Sequence, residues 1–379
     1  MNAELVLNQV SPGEDFLKKV VTKEVSLDSG EVMTIFSDLE EAVLVVVATN
    51  GNHVPADSFG LPEWAQKVLG EYARKVAVVT FDPIGKGKSK GRLGDADPET
   101  RRNSWKAVLR EVKNNNPRAK IIIRGASESG GDALVVASVC RELVDHVISI
   151  TPETDPLSST SLKLTRKKNP ADLIKTLLAT SEVVRKGILD LLITELNPDW
   201  VNKIKNISKG GTLEKLLKPI LNPYFLKMLS DPENADYLIS VVGPPGTEAA
   251  IDSEDYEKYL DLIKKGNGWK NEMHPKLLMK MLLNFPFIHA LKIRDEVKIL
   301  GIIQKDDDVT SPAVQKILFS LMKKVGKKCK FHEMEGGHFA PYGNEKLTKI
   351  EIDFITNILD AIRLEKNQKF VLLNDESKN

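Results

Sequence analysis

The sequence predicts an α/β fold: a mostly parallel central sheet with flanking helices, interrupted by a large helical insertion. Three observations carry this. Short β-branched runs alternate with amphipathic stretches up to Ile150, the signature of a sheet wrapped by helices. From about Leu157 to about Arg294 strand-like runs almost vanish, and helical spacing punctuated by proline takes over. Strand–helix alternation then resumes at Val297. The expected organisation is a core segment at 1–155, a helical cap at 156–295, a second core segment at 296–365 and a tail at 366–379. With 379 residues, 41% of them hydrophobic, the chain can bury a sizeable core.

The elements follow in order. Val20–Leu27 and Val32–Ser37 flank the turn-forming Asp28-Ser29-Gly30 and read as an antiparallel hairpin. Ala42–Thr49 is continuously apolar, as a strand covered on both faces must be. Leu61–Arg74 has helical spacing through Trp64, Val68, Leu69 and Tyr72, and Val76–Phe81 is a second buried strand. Glu99–Asn115 is helical, with Trp105, Val108, Leu109 and Val112 on one face. A strand at Ile121–Ile123, a helix at Gly131–Leu143 and a strand at Val147–Ile150 complete the first segment. In the insertion the helical candidates are Ala171–Leu196, Leu213–Leu229, Tyr256–Lys265 and Lys276–Asn284. Strands at Val297–Ile303 and Lys330–Met334 and helices at Ala313–Val325 and Leu347–Leu364 close the fold, and the polar tail beyond frays or docks through Phe370–Leu373.

Charge and composition narrow the function classes. Lys+Arg 54 against Asp+Glu 53 leaves a net charge of +1, so no global basic field exists to hold nucleic acid or an anionic membrane. Two cysteines cannot build a disulfide framework, and no Cys/His spacing resembles a zinc site. The longest apolar run, Ala42–Ala48, is far too short to span a bilayer. The N-terminus lacks the pattern of a signal peptide and the C-terminus fits no lipidation or retention address, so a cytoplasmic location is expected.

The most informative segment is Ile121-Ile-Ile-Arg-Gly125-Ala-Ser127-Glu-Ser129-Gly-Gly131, in which a buried strand runs straight into small residues and then an apolar helix. It resembles the nucleophile elbow of the α/β-hydrolase superfamily, Gly-x-Ser-x-Gly between strand and helix. A sharp turn there lifts one serine hydroxyl above the sheet, and small neighbours keep the strained backbone free of clashes. Gly125 fills the first small position, whereas Ser129 stands where the family has glycine. Ser127 is the expected nucleophile, since it closely follows the strand and places Ala133 and Ala137 where the family's helix keeps small residues; Ser129 is the alternative.

Three further segments resemble the same superfamily. Phe81-Asp82-Pro83-Ile84-Gly85-Lys86-Gly87-Lys88-Ser89 looks like its Asp-x-x-Gly-x-Gly-x-Ser turn. A phosphate loop is rejected because its leading glycine falls at Asp82; the lysines are expected to face solvent. Asn50-Gly51-Asn52-His53 occupies the place of the oxyanion loop, with Asn50 for the usual histidine. The resemblance implies that the backbone N–H groups of Asn52 and Glu128 bind the oxyanion. Leu300–Val309 is a strand entering an acidic turn where the family's acid sits: Asp306 with Val309 matches Asp-x-x-Val, and Asp308 is the alternative. Gly336-Gly337-His338-Phe339 looks like the family's histidine loop, implying His338 as base. His332 reads as a structural strand residue, and His146, His274 and His289 as capping or core-edge groups.

The order Ser127, Asp306, His338 matches the superfamily's nucleophile, acid and base. The resemblance implies a capped serine hydrolase acting on an ester, lactone or thioester of a mainly apolar small molecule, with no metal or organic cofactor. An acyltransferase or cyclising thioesterase sharing the acyl-enzyme, and a non-catalytic ligand-binding member of the fold, are the alternatives. Apolar cap residues such as Trp200, Phe225 and Trp269 are candidates for a hydrophobic lining. Ten Lys/Arg against five Asp/Glu between Leu157 and Gly210 give a solvated basic lean that would also suit an acyl carrier.

Overall fold

The computed structural model describes residues 22–51, 54–72, 75–91, 96–154, 253–264 and 286–376. The sequence-predicted helices at Ala171–Leu196, Leu213–Leu229 and Lys276–Asn284 lie outside them, as do most of the expected cap and its lining candidates.

Eight strands form one sheet in the order β1-β2-β4-β3-β5-β6-β7-β8. The edge hairpin, β1 (Thr22–Ser26) and β2 (Val32–Phe36), pairs antiparallel from Thr22↔Phe36 to Ser26↔Val32, and β2 runs antiparallel to β4 (Val76–Asp82). Every other pairing is parallel, through β3 (Leu44–Thr49), β5 (Lys120–Ala126), β6 (His146–Ile150), β7 (Lys298–Gln304) and β8 (Cys329–Met334). The parallel strands therefore deliver all their C-terminal ends to one edge, where an open α/β sheet builds its site.

Alternating side chains feed two cores. Val46, Ile122, Ile148 and Ile302 pack on one face with α1 (Leu61–Tyr72) and α7 (Glu345–Glu376). Val45, Val47, Ile121, Ile123 and Ile299 pack on the other with α2 (Pro98–Asn115), α3 (Glu128–Val139) and α6 (Pro312–Lys324). Being covered on both faces is why these strands are uninterrupted runs of Val and Ile; each such side chain contributes about 1.5–3 kcal/mol by leaving water. Helix starts obey local chemistry: Asp97 accepts the Thr100 N–H before Pro98, and Ser311 accepts that of Val314 before Pro312. The Tyr72 hydroxyl donates to the Ile352 carbonyl at 2.6 Å and ties α1 to α7.

Three boundaries differ from the sequence reading. Helix α3 starts at Glu128 rather than Gly131, because the Ser127 carbonyl already accepts the N–H groups of Gly130 (2.9 Å) and Gly131 (3.2 Å). Helix α7 continues to Glu376, so the expected C-terminal tail is largely helical. Within the stretch assigned to the cap, α4 (Ser253–Lys264) sends Tyr259 into the first core. The short α5 (Pro286–Leu291) and Ile293 belong to the second core through Phe287 and Ala290. Among the described residues no helix is long and apolar enough to cross a membrane.

Candidate active site

Ser127 sits at the abrupt joint between β5 and α3, with φ 57° and ψ −126°. A non-glycine residue in that region stores strain, so its surroundings must impose it. Four hydrogen bonds do so: the Ser127 N–H donates to Ile150 O at 2.8 Å, and its carbonyl accepts from Gly130, Gly131 and Glu153. Two close approaches complete the constraint. A side chain at Gly125 would run into the Ser129 carbonyl, and one at Gly51 would put a Cβ 2.5 Å from Ala126 O and 2.7 Å from Ser127 Cβ. The loop after β3 is thereby pressed against the serine.

His338 reaches this serine from the Gly-rich loop after β8. Its Nε2 lies 2.9 Å from Ser127 Oγ, and its Nδ1 lies 2.8 Å from Asp307 Oδ2. Ser127 is 8% exposed and His338 3%, so the contact is shielded from bulk water. Of the residues singled out from sequence, the structure thus brings Ser127 and His338 together.

The carboxylate that meets the imidazole is not the expected Asp306 but Asp307, one residue on. Asp306 is exposed and its carboxylate accepts the Gly336 N–H at 3.0 Å, holding the histidine loop rather than the imidazole. The carboxylate 2.8 Å from Nδ1 is that of Asp307, not that of Asp308, the alternative. After β7 ends at Gln304, the Asp307 N–H bonds back to the Gln304 carbonyl, and this turn points Asp307 inward. Its Oδ1 accepts the N–H groups of Val309 and Thr310, both at 2.8 Å, and its Oδ2 accepts the Thr310 hydroxyl at 2.7 Å. Gln315 Nε2 donates in turn to Thr310 Oγ1 at 2.8 Å. A chain Gln315–Thr310–Asp307–His338–Ser127 results, every member of it buried. The legible signal was Asp307-x-Val309-Thr310 ahead of a Ser-Pro helix start: an aspartate bonding two N–H groups downstream makes such a turn.

Ser129, the alternative nucleophile, is 0% exposed and its hydroxyl donates to Asn50 O at 2.7 Å. It is a clamp on the loop after β3. Asn50, where the family has histidine, is the other clamp: its Nδ2 donates to Pro55 O (3.1 Å) and Ser58 O (2.9 Å). Asn52, one of the two expected oxyanion donors, lies outside the described residues, as do His53 and His274. Glu128, the other, is the first residue of α3, whose N–H the helix itself leaves free.

The Glu128 side chain turns away from the site into a buried ionic cluster that the sequence reading missed. Arg101 Nη1 lies 2.8 Å from Glu128 Oε1, and Arg101 Nε lies 2.7 Å from Asp132 Oδ2, one helical turn further on. Lys86 Nζ joins at 3.7 Å from Glu128 Oε2, with its side chain fully buried. The expectation that Lys86 faces solvent is therefore wrong: the Asp82–Ser89 turn folds it under the elbow, while Lys88 stays exposed beside Glu24. The turn is held by the Asp82 carboxylate, which accepts the N–H groups of Ala56 (2.7 Å) and Lys88 (3.0 Å). Burial pushes the Lys86 ammonium down to about 8 against the opposing pull of Glu128. Burial likewise raises Asp82, which its two N–H donors partly offset.

The remaining histidines have structural surroundings. His146 Nδ1 accepts the Lys298 N–H at 3.2 Å, and burial lowers its pKa to about 4; His332 lies on β8 and His289 near Ser138.

A hydroxyl bonded to an imidazole whose far nitrogen is held by a buried carboxylate can deliver a proton-relieved oxygen nucleophile to an acyl carbon. No protein-family model matches the chain, and no curated protein sequence does. Among solved structures it is similar to the α/β hydrolase GrgF from Penicillium sp. sh18, at 15% identity and a TM-score of 0.56, covering 89% of this chain and 98% of that one. It is also similar to a highly thermostable carboxyl esterase from Bacillus coagulans, at 13% identity and a TM-score of 0.58, covering 89% and 99%. A third is the enol-lactonase from Burkholderia xenovorans LB400, at 12% identity and a TM-score of 0.52, covering 88% and 100%. Sheet order, elbow and these likenesses agree that the protein has the α/β-hydrolase fold.

Proposed function

We propose that this protein is a serine hydrolase that cleaves a carboxylic ester, lactone or thioester of a mainly apolar small molecule. The observation that supports it most directly is the Ser127–His338–Asp307 chain, with contacts of 2.9 and 2.8 Å on a strained elbow. Ser127 Oγ attacks the acyl carbon as its proton passes to His338 Nε2. Asp307 holds the Nδ1–H tautomer and the imidazolium that forms. The developing oxyanion takes the N–H of Glu128 and, by resemblance, that of Asn52, each worth about 3 kcal/mol. Collapse expels the alcohol or thiol with the proton from His338, leaving an acyl-Ser127. Water then attacks that acyl group, giving its proton to His338, and the acid departs as the proton returns to Ser127.

The carboxyl esterase and the lactonase that share the fold fit this class of bond without fixing the substrate. The test is labelling with a serine-directed fluorophosphonate, paired with a panel of esters of graded chain length, lactones and thioesters. Stoichiometric label on Ser127 and turnover of at least one class, both lost in Ser127→Ala, are expected. Wild-type protein that resists the label, or Ser127→Ala with undiminished turnover, would overturn the reading.

A further inference from the structure

Behind the Ser127–His338–Asp307 chain stand two buried side chains that the proposed mechanism does not use. Thr310, in the turn after the acid, is 2% exposed, and Gln315, in the first turn of α6, is 0% exposed. The Asp307 carboxylate accepts from four donors. The N–H groups of Val309 and Thr310 fill Oδ1, both at 2.8 Å. The Thr310 hydroxyl at 2.7 Å and His338 Nδ1 at 2.8 Å share Oδ2. A carboxylate offers about four lone-pair sites, so this one is saturated.

The direction of the Thr310 proton follows from its neighbours. Gln315 Nε2 lies 2.8 Å from Thr310 Oγ1, and an amide nitrogen can only donate. The hydroxyl proton is left with two acceptors, Asp307 Oδ2 at 2.7 Å and the Thr151 carbonyl at 3.3 Å. The nearer one is charged and takes it. Turning the Gln315 amide over would draw that proton to the amide oxygen and set a bare lone pair 2.7 Å from the carboxylate, so the amide has one acceptable orientation. Gln315 thus aims the hydroxyl, and the hydroxyl grips the one oxygen that meets the imidazole.

We propose that Thr310, aimed by Gln315, is a positioning residue for the Ser127 reaction. Its hydroxyl holds Asp307 Oδ2 on His338 Nδ1 and draws charge from that oxygen, so that the imidazole releases its proton more readily. The catalytic consequence rests on the hydrolase reading; the effect on His338 does not. Without the hydroxyl, Oδ2 keeps one donor, and the Asp307–His338 pair takes up its proton at higher pH. The other charges around the pair are held elsewhere. Arg124 pairs with Glu351 at 2.7 Å and Glu128 with Arg101 at 2.8 Å, Asp306 accepts the Gly336 N–H, and Glu335 pairs with Lys305. Tyr342, which senses both Asp307 and Arg124, is kept neutral by burial, and Asp308 adjoins Asp307 in the chain.

The test is an NMR titration of the His338 ring Cε1–H in the full chain, assigned by its loss in His338→Ala, which requires no turnover. Thr310→Val removes the hydroxyl and fills its space against water, Thr310→Ala removes it without crowding Oδ2, and Thr310→Ser retains it. The midpoint is expected to rise by about 0.5–1 pH unit in the first two and to stay within about 0.2 in Thr310→Ser. On an ester that the wild type turns over, the acid limb of kcat/KM should move up with the midpoint. There kcat should fall about tenfold with KM little changed. Wild type that turns over no ester counts against the hydrolase reading alone, because the NMR midpoint still decides the role of Thr310. An unmoved midpoint in Thr310→Val would overturn that role, as would one in Thr310→Ala if only that variant keeps the wild-type circular dichroism. So would an equal rise in Thr310→Ser, which would trace the effect to the lost methyl.

Discussion

Two turns at the C-terminal edge of the sheet build the candidate site, and they are specified by different physics. The β5–α3 elbow is specified sterically: Gly51 and Gly125 are the residues that admit it, and their absence of a side chain is written directly in the sequence. The β7–α6 turn is specified by hydrogen bonding: any of three consecutive aspartates could occupy it by composition. Only the bonds from Val309, Thr310 and the Thr310 hydroxyl select Asp307. Steric constraints leave a residue-type signature at a fixed position. Hydrogen-bonded turns leave one that is ambiguous by a residue, and one residue separates an inward carboxylate from a solvated one.

The sharpest way to break this comparison is at the acid. Asp307→Asn leaves the shape but loses the partner that fixes the His338 tautomer, and kcat should fall about ten-thousand-fold. Asp306→Asn keeps an acceptor for the Gly336 N–H and should stay within about threefold, a factor worth less than 1 kcal/mol. Steady-state kinetics on an ester that the wild type turns over compares the two. If Asp306→Asn is the damaged variant, the assignment of Asp307 is wrong.

On the steric side, Gly51→Ala places a methyl 2.5 Å from the Ala126 carbonyl and 2.7 Å from Ser127 Cβ. Neither is the far end of a flexible side chain, so loop or elbow must move. A stability loss of about 3 kcal/mol or more is expected in denaturant unfolding. A variant as stable as the wild type would show that the loop yields freely and that the elbow is not held from this side.

How much was legible follows the same division. Val45, Val47, Ile121 and Ile123 announced strands buried on both faces, and all fall in the parallel core. Ser127 and His338 were legible because glycines and strand ends mark their turns. Asp307 was not, for the reason above. Lys86 was misread because burial of a lysine depends on partners remote in sequence: Glu128 and Arg101 arrive from two different helices. The Arg124–Glu351 pair was missed likewise, its members being joined only when α7 packs on β5.

The buried cluster beneath the elbow offers a smaller, pH-dependent effect. Lys86 titrates near 8 in the fold against an ordinary 10.5, lowered by burial and by Arg101 and raised by Glu128, Asp132 and Asp82. Between those two values the unfolded chain binds more protons than the folded one, so stability attributable to Lys86 rises as pH climbs from about 8 towards 10.5. The gain is at most about 3 kcal/mol. Measured by urea unfolding, wild type should gain on Lys86→Met across that window and run parallel to it below pH 8. Parallel curves throughout would mean that Lys86 keeps its proton in the fold.

The smallest stability effect expected is at Ser129, where the chain departs from the Gly-x-Ser-x-Gly pattern it resembles. Its hydroxyl makes one neutral hydrogen bond, to Asn50 O at 2.7 Å, in a fully buried setting. Removing it in Ser129→Ala strands one carbonyl lone pair and should cost about 1–2 kcal/mol of stability. Fluorophosphonate labelling of Ser127 should slow by no more than about tenfold, because the loop stays pressed on the elbow through Gly51. Complete loss of labelling at unchanged stability would move the nucleophile to Ser129. Retained labelling with lowered stability assigns Ser129 to the scaffold, as the hydrogen bond that holds the loop after β3.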